Sequence, residues 1–309
     1  MSAAEPGDAV VLGGAPGAVL AGHVAGGEGP AQVVALRTGG LALFGGWAAS
    51  PPAWWSSPVL AAAGPPRHDA AGCATSAGVH QGVNRRGLLV ACGPAGPIVR
   101  AGLAGAVLAH ADGVEEAVAL ISRAAAGLDA ADRIWLADSG MVVCLDAGPG
   151  GVEVRAEPLP EDAGGDLAGV CARLRAEAPG GAVSAIAARL DPEGPALLVC
   201  LGPPRSGVFV PQWPGLPPPP PLTAADGPPL LGSLARALAA AAPDLDAVEA
   251  ETLTEGEDAE RLARIMDAAG DDHGAEVRRA LAQSHAAGLA VAGLEARLAA
   301  AGAPGGPTL

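Results

Sequence analysis

The 309-residue chain has no lysine, no tyrosine and a single asparagine, Asn84. All 18 of its basic residues are therefore arginines. The missing lysine excludes a P-loop, which needs that ammonium to reach a phosphate, so Gly13-Gly14-Ala15-Pro16-Gly17 reads as a hairpin turn. Basic residues are also scarce beside 33 acidic ones, giving a net charge of -15. That balance excludes a nucleic-acid partner, whose recognition needs clustered cations that release counterions. With 46 glycines and 30 prolines, the composition carries the mark of a GC-rich coding sequence.

No stretch near 20 residues stays free of charge and proline, so no membrane-spanning helix is expected. Met1 to Pro6 offers neither the basic segment nor the apolar core of a signal peptide, and a cytoplasmic location is expected. The cysteines, at 73, 92, 144, 171 and 200, form no Cys-x-x-Cys pair and fall inside apolar patterns. Small buried thiols are the expectation, with no disulfide framework, metal site or cofactor.

The informative region is residues 78 to 146. A strand-like stretch ends in the turn Gly82-Val83-Asn84-Arg85-Arg86-Gly87 and re-emerges as Leu88-Leu89-Val90, with Asn and Gly supplying the positive φ such a turn uses. Two helices follow, from about Pro97 to His110 and from Asp112 onward. Asp112 is positioned as N-cap, with Glu115 completing a capping box. Val114, Ala117, Val118 and Ile121 fall at i, i+3, i+4 and i+7, which gives the second helix one apolar face. Ile134 to Ala137, the turn Asp138-Ser139-Gly140 and Met141 to Leu145 then read as a β-hairpin. Strands are also expected at 9–12, 182–188 and 196–201.

The order hairpin, helix pair, hairpin, with the strings GVNRRGLLV, GVEEAVALI and IWLADSGMVVCLD, resembles the secernin-type dipeptidases and their penicillin acyltransferase-like and choloylglycine hydrolase relatives. These are N-terminal-nucleophile (Ntn) hydrolases. A second block, Gly180 to Ser184, Leu197 to Leu201 and Gly202 to Pro211, is similar to the family's later strand pair and its Ser-Val-Phe-x-Pro segment. The resemblance covers roughly residues 7 to 215. It implies an α+β fold, a four-layer αββα sandwich over residues 1–210. A proline-rich connector at 211–222 and a helical C-terminal extension at 223–309 complete the expected organisation.

The resemblance also implies chemistry that this chain lacks. An Ntn enzyme uses its first mature residue as nucleophile, with the α-amino group as base. Gly7 stands where the family keeps its cysteine. His23-Val24-Ala25-Gly26 occupies the place of an Asn-Ser-Asp-Arg group, and Cys92-Gly93-Pro94 offers no amide to hold an oxyanion.

Cys73 is the remaining candidate nucleophile. Gly72-Cys73-Ala74-Thr75-Ser76 is similar to the Gly-Cys-Thr-Ser junction at which penicillin acyltransferase-like precursors cut themselves. Cys73 lies only 11 residues before Asn84, too close for the intervening hairpin, and a core-facing strand cysteine is the plainer reading. His68, Asp69 and His80 supply the residue types of a Cys-His-Asp set, although His80 beside the turn reads as a surface histidine. Trp54 and Trp55, bracketed by prolines, either stack on a ligand or cap a sheet. With Asn84 they form the candidate substrate-binding set. Asp271-Asp272-His273 reads as a helix-connecting loop.

Beyond the proline run, helices are expected at about 230–242, 258–268 and 275–300. Leu262, Ile265 and Met266 form an apolar stripe on one, Val277, Leu281, His285 and Leu289 on another, and these helices are expected to pack on the sandwich. Two functions remain open: a noncatalytic homologue binding a peptide, an acyl-amino acid or a protein partner, and an active cysteine-type amide hydrolase or acyltransferase.

Overall fold

The computed structural model describes residues 9–15, 18–26, 30–36, 66–93, 96–100, 102–158, 165–179, 181–191, 194–224, 228–241 and 244–302. Gly7, Trp54 and Trp55 lie outside the described residues.

Among the described residues, twelve strands form two sheets, antiparallel throughout. One sheet holds β1 (Ala9–Ala15), β2 (Ala18–Gly26), β10 (Ala182–Leu190), β11 (Ala196–Leu201) and β12 (Val210–Gln212), in that spatial order. The other is a seven-stranded meander: β3 (Gln32–Leu36), β4 (Ala70–Thr75), β5 (Gly78–Asn84), β6 (Leu89–Cys92), β7 (Asp132–Ala137), β8 (Val142–Gly148) and β9 (Gly151–Glu157). The helices described with them are α1 (Pro97–Arg100), α2 (Leu103–His110), α3 (Val114–Ala125), α4 (Leu167–Glu177), α5 (Leu230–Leu238), α6 (Asp246–Ala268) and α7 (Asp272–Ala300). Among the described residues no helix is long and apolar enough to cross a membrane.

Alternation along the strands sorts the apolar side chains into separate clusters. Val19, Ala21, Ile186 and Val199 of the smaller sheet share a cluster with Val33, Ala71, Val83 and Leu89 of the larger one. The opposite side chains of the smaller sheet, such as Leu20, Val24, Ala187 and Leu198, pack with Leu167, Val170, Cys171 and Leu174 of α4. On the larger sheet, Val34, Val90, Leu136 and Leu145 pack with Leu103, Val107 and Ile121 of α2 and α3. All five cysteines are buried and none forms a disulfide.

Several expectations change in detail. The first helix is broken between α1 and α2, where Gly102 adopts a φ of 73°. The cap of α3 comes from a distance: Asp138, in the β7–β8 turn, accepts from the Val114 N–H, while Glu116 rather than Glu115 reaches back to the Asp112 N–H. The proline-rich segment is more than a connector. Pro211 lies within β12, an edge strand, where a residue without an N–H is tolerated. Trp213 and Leu216 beyond it are buried, and Gln283 of α7 grips the segment by donating to the Pro217 carbonyl and accepting from the Trp213 N–H.

The C-terminal helices lie against β12, but their apolar stripes do not make that contact. Leu262, Ile265, Val277 and Leu281 are exposed, as is His285, while α6 and α7 bury mainly their small residues. Helix α6 also begins 12 residues before the expected start at 258.

Candidate functional site

The sequence-nominated residues begin with Asn84. Its amide carbonyl accepts from the Arg86 and Leu88 N–H groups, and its NH2 donates to the carbonyls of Leu108 and Ala111 at the end of α2. All four bonds lie within the chain and the side chain is fully buried, so Asn84 ties the β5–β6 turn to a helix C-terminus. Gly87, with φ 80°, supplies the left-handed residue of the turn. Replacing Asn84 with alanine orphans several buried polar groups at once. We expect a loss of about 2–4 kcal/mol in a urea denaturation series.

Cys73 lies on β4 with no exposed surface. Burial pushes its thiol up to about 12, against smaller opposing pulls from hydrogen bonds with Gln81 and Ser184. Those neighbours belong to a polar cluster within the interior. A β-bulge creates it: Cys73 pairs with Gln81 but Ala74 pairs with Val79, which leaves His80 as the extra residue. Two successive side chains of β5 thereby reach the same partner, as bulge geometry permits. His80 Nε2 lies 2.9 Å and Gln81 Nε2 2.7 Å from Ser184 Oγ on β10. His23 Nδ1 of β2 lies 2.8 Å from Gln81 Oε1. Beside the bulge the two strands run so close that a Cβ on Gly72 would collide with the Gln81 carbonyl oxygen.

The donors and acceptors form a consistent chain when both imidazoles are neutral. His23 Nδ1–H donates to Gln81 Oε1, Gln81 Nε2–H donates to Ser184 Oγ, and the serine hydroxyl donates to His80 Nε2. Burial, reinforced by the nearby His23, lowers the His80 pKa to about 3. His80 is therefore an interior residue, contrary to the surface position expected for it. His68 and Asp69 do not join the cluster: His68 faces Asp112 at 3.0 Å, and Asp69 faces Arg85 at 3.6 Å. Gln81 and Ser184 escaped the sequence reading. Their one local signal was the pair His80-Gln81, two consecutive polar residues inside a strand that otherwise buries both faces.

A second feature lies where the sheets meet the C-terminal helices. A cleft of about 640 Å³ is lined by Asp69, Arg85, Trp213, Leu216, Glu260 and Arg279. Asp272, His273 and Glu276, at the start of α7, close it on one side. Glu260 anchors this wall, accepting from Trp213 Nε1 at 2.8 Å, Arg279 Nε at 2.9 Å and Arg264 Nε at 3.0 Å. Burial alone would raise its carboxyl, but the hydrogen bonds and charge of Arg279, with help from Arg264 and Trp213, hold it below its usual value. Arg85 is different, with a side chain 66% exposed at the cleft. Among the described residues no group of three or more His, Cys, Asp and Glu side chains is arranged to hold a metal ion.

Neither a family model nor a curated protein matches the sequence. Among solved structures, the chain is similar to penicillin V acylase from Agrobacterium tumefaciens, with a TM-score of 0.32 and 13% identity. That alignment spans 55% of this chain and 57% of the acylase.

Proposed function

We propose that the chain is a noncatalytic homologue of the Ntn hydrolases, an αββα sandwich that has lost amide-cleaving chemistry and binds a small peptide or acyl-amino acid. The observation that carries this reading is the state of Cys73. A nucleophilic cysteine must reach the thiolate and meet its substrate. This thiol is enclosed between strands, and burial pushes its pKa up, which disfavours the thiolate. Gly7, at the place of the family's nucleophile, has no side-chain group to offer.

Ligand binding is assigned to the end cleft, whose volume falls within the usual range for small-molecule sites. Arg85 suits a carboxylate, the acidic start of α7 suits an amine, and Trp213 with Leu216 suits an apolar side chain. The cytoplasm, with its reducing conditions, is the compartment this reading assumes for five cysteines that form no disulfide.

The test is a panel of dipeptides and N-acyl-amino acids. No turnover above a denatured control is expected, the chain should remain whole at 29.8 kDa, and Cys73 should resist thiol reagents until the protein unfolds. At least one panel member should shift the NMR signals of the cleft tryptophan, with affinity falling about tenfold in Arg85→Ala. Turnover that vanishes in a folded Cys73→Ala variant, or a cut between residues 72 and 73, would establish the active amide hydrolase instead.

A further inference from the structure

Among the described residues, six large hydrophobic side chains are substantially exposed, and four belong to one helical hairpin: Leu262 and Ile265 on α6, Val277 and Leu281 on α7. The exposures are large, 62% for Ile265 and 61% for Leu281. The hairpin is sorted by size in the unexpected direction. Towards the sheets and the partner helix, α6 buries Gly256, Ala259 and Ala263, and α7 buries Ala275, Ala282 and Ala286.

Close packing imposes this orientation. A Cβ on Gly256 would press on the Pro211 ring, and one on Gly293 would overlap Val248. Helices held this near to β12 and to each other admit only small residues at these close-contact positions, while the larger buried side chains, such as Gln283, Leu294 and Leu298, lie elsewhere along the inner face. The large residues therefore cannot rotate inward, and their outward face is a fixed surface.

We propose that this face binds a second copy of the chain, the two α6–α7 hairpins meeting across a two-fold axis as a four-helix bundle. Three properties favour a second copy over a different partner. The first is charge balance. A molecule of net charge -15 repels its own copy over most of its surface, yet beside this patch the charges come in opposite pairs, Asp258 with Arg261 and Glu255 with Arg278. The second is self-complementarity. A two-fold axis beside Leu262 and Ile265 sets these residues of one copy against the same residues of the other, with the Asp258–Arg261 pair at the rim, as an isologous interface requires. The third is size. Helices of 23 and 29 residues present a face of roughly 35 by 20 Å, on the order of 700 Å², close to the ~800 Å² per partner of a standard interface.

Sedimentation equilibrium of the full chain tests the proposal. The expected mass is twice 29.8 kDa, and Ile265→Asp combined with Leu281→Asp should raise the dimer dissociation constant at least a hundredfold while the circular dichroism spectrum stays unchanged. Both positions are exposed, so the fold should tolerate the change. In a second series, Asp258→Arg alone should weaken the dimer, and adding Arg261→Glu should restore it. Met141→Asp, on an exposed apolar residue outside the hairpin, should leave association unaltered. A wild-type chain that remains monomeric up to about 100 μM, far above the dissociation constants of stable interfaces of this size, overturns the proposal. So does a dimer that survives the double aspartate variant or is broken by Met141→Asp.

Discussion

Acidification from pH 6.5 to 5 is expected to remove about 2 kcal/mol of folding stability, through His80. In the folded protein this imidazole titrates near 3, against a usual value of 6.5, because it is fully buried and faces a second histidine, His23. Between those two values the unfolded chain binds a proton that the folded chain refuses. Stability therefore falls as pH drops through this window, by about 1.4 kcal/mol per pH unit. The groups around His80 offer the imidazolium no counter-charge: Ser184, Gln81 and the Cys73 thiol are neutral, His23 is a second imidazole, and the Cys92 thiol donates to the His80 carbonyl. His68 and His110 are also shifted down, chiefly by burial, and add a smaller slope of the same sign. Urea denaturation at pH 7, 6 and 5 measures the effect. His80→Gln keeps a polar group for Ser184 and should flatten most of the slope; an unchanged slope would place its origin elsewhere.

Removing the carboxylate of Glu249 should cost about 3–5 kcal/mol, as breaking one side of a buried ion pair generally does. Glu249 and Arg175 join α6 to α4, with side chains only 8% and 19% exposed. The carboxylate receives two guanidinium nitrogens of Arg175 and lies 3.4 Å from the Phe209 N–H. Arg175 also donates to the carbonyls of Pro204 and Gly207, and its guanidinium sits 5.8 Å from the Phe209 ring centroid. Glu249→Ala would leave this cation enclosed without its counter-charge. In Arg175→Met with Glu249→Leu, both charges give way to apolar groups of similar size, and most of the loss should be recovered. The midpoint of guanidinium denaturation distinguishes the cases. Equal losses in the single and double variants would mean that lost packing, rather than an unpaired charge, dominates.

How far the sequence reveals this structure depends on how local the determining interactions are. The β7–β8 hairpin and the α3 face carry their information within a dozen residues, and both lie where periodicity puts them. Helix α6 shows the opposite case. Its first half buries Glu249, Thr252 and Gly256, a polar and small face that periodicity alone assigns to solvent. The Glu249 carboxylate can go inside only because Arg175, 74 positions earlier, meets it. The outward stripes of α6 and α7 misled for a related reason: apolar spacing identifies a face, but close packing decides which face turns inward. For the candidate site, Cys73 was visible as a buried strand cysteine, whereas the neighbours that enclose it required a bulge and a pairing between sheets.

The two sheets also differ in when they can form during synthesis. Strands β3 to β9 each pair with the next in sequence, so the larger sheet is free to assemble as it leaves the ribosome. The smaller sheet must wait for β10 to meet β2, with Gly26 opposite Ala182. Ser184, 104 residues after His80, arrives with that late strand. At ordinary translation rates the delay is about 5–20 s. Throughout it, Cys73 and His80 lack the β10 cover that later withdraws them from water. The nascent chain thus carries an accessible thiol and an ordinary imidazole, and closure of the second sheet is the event that silences both.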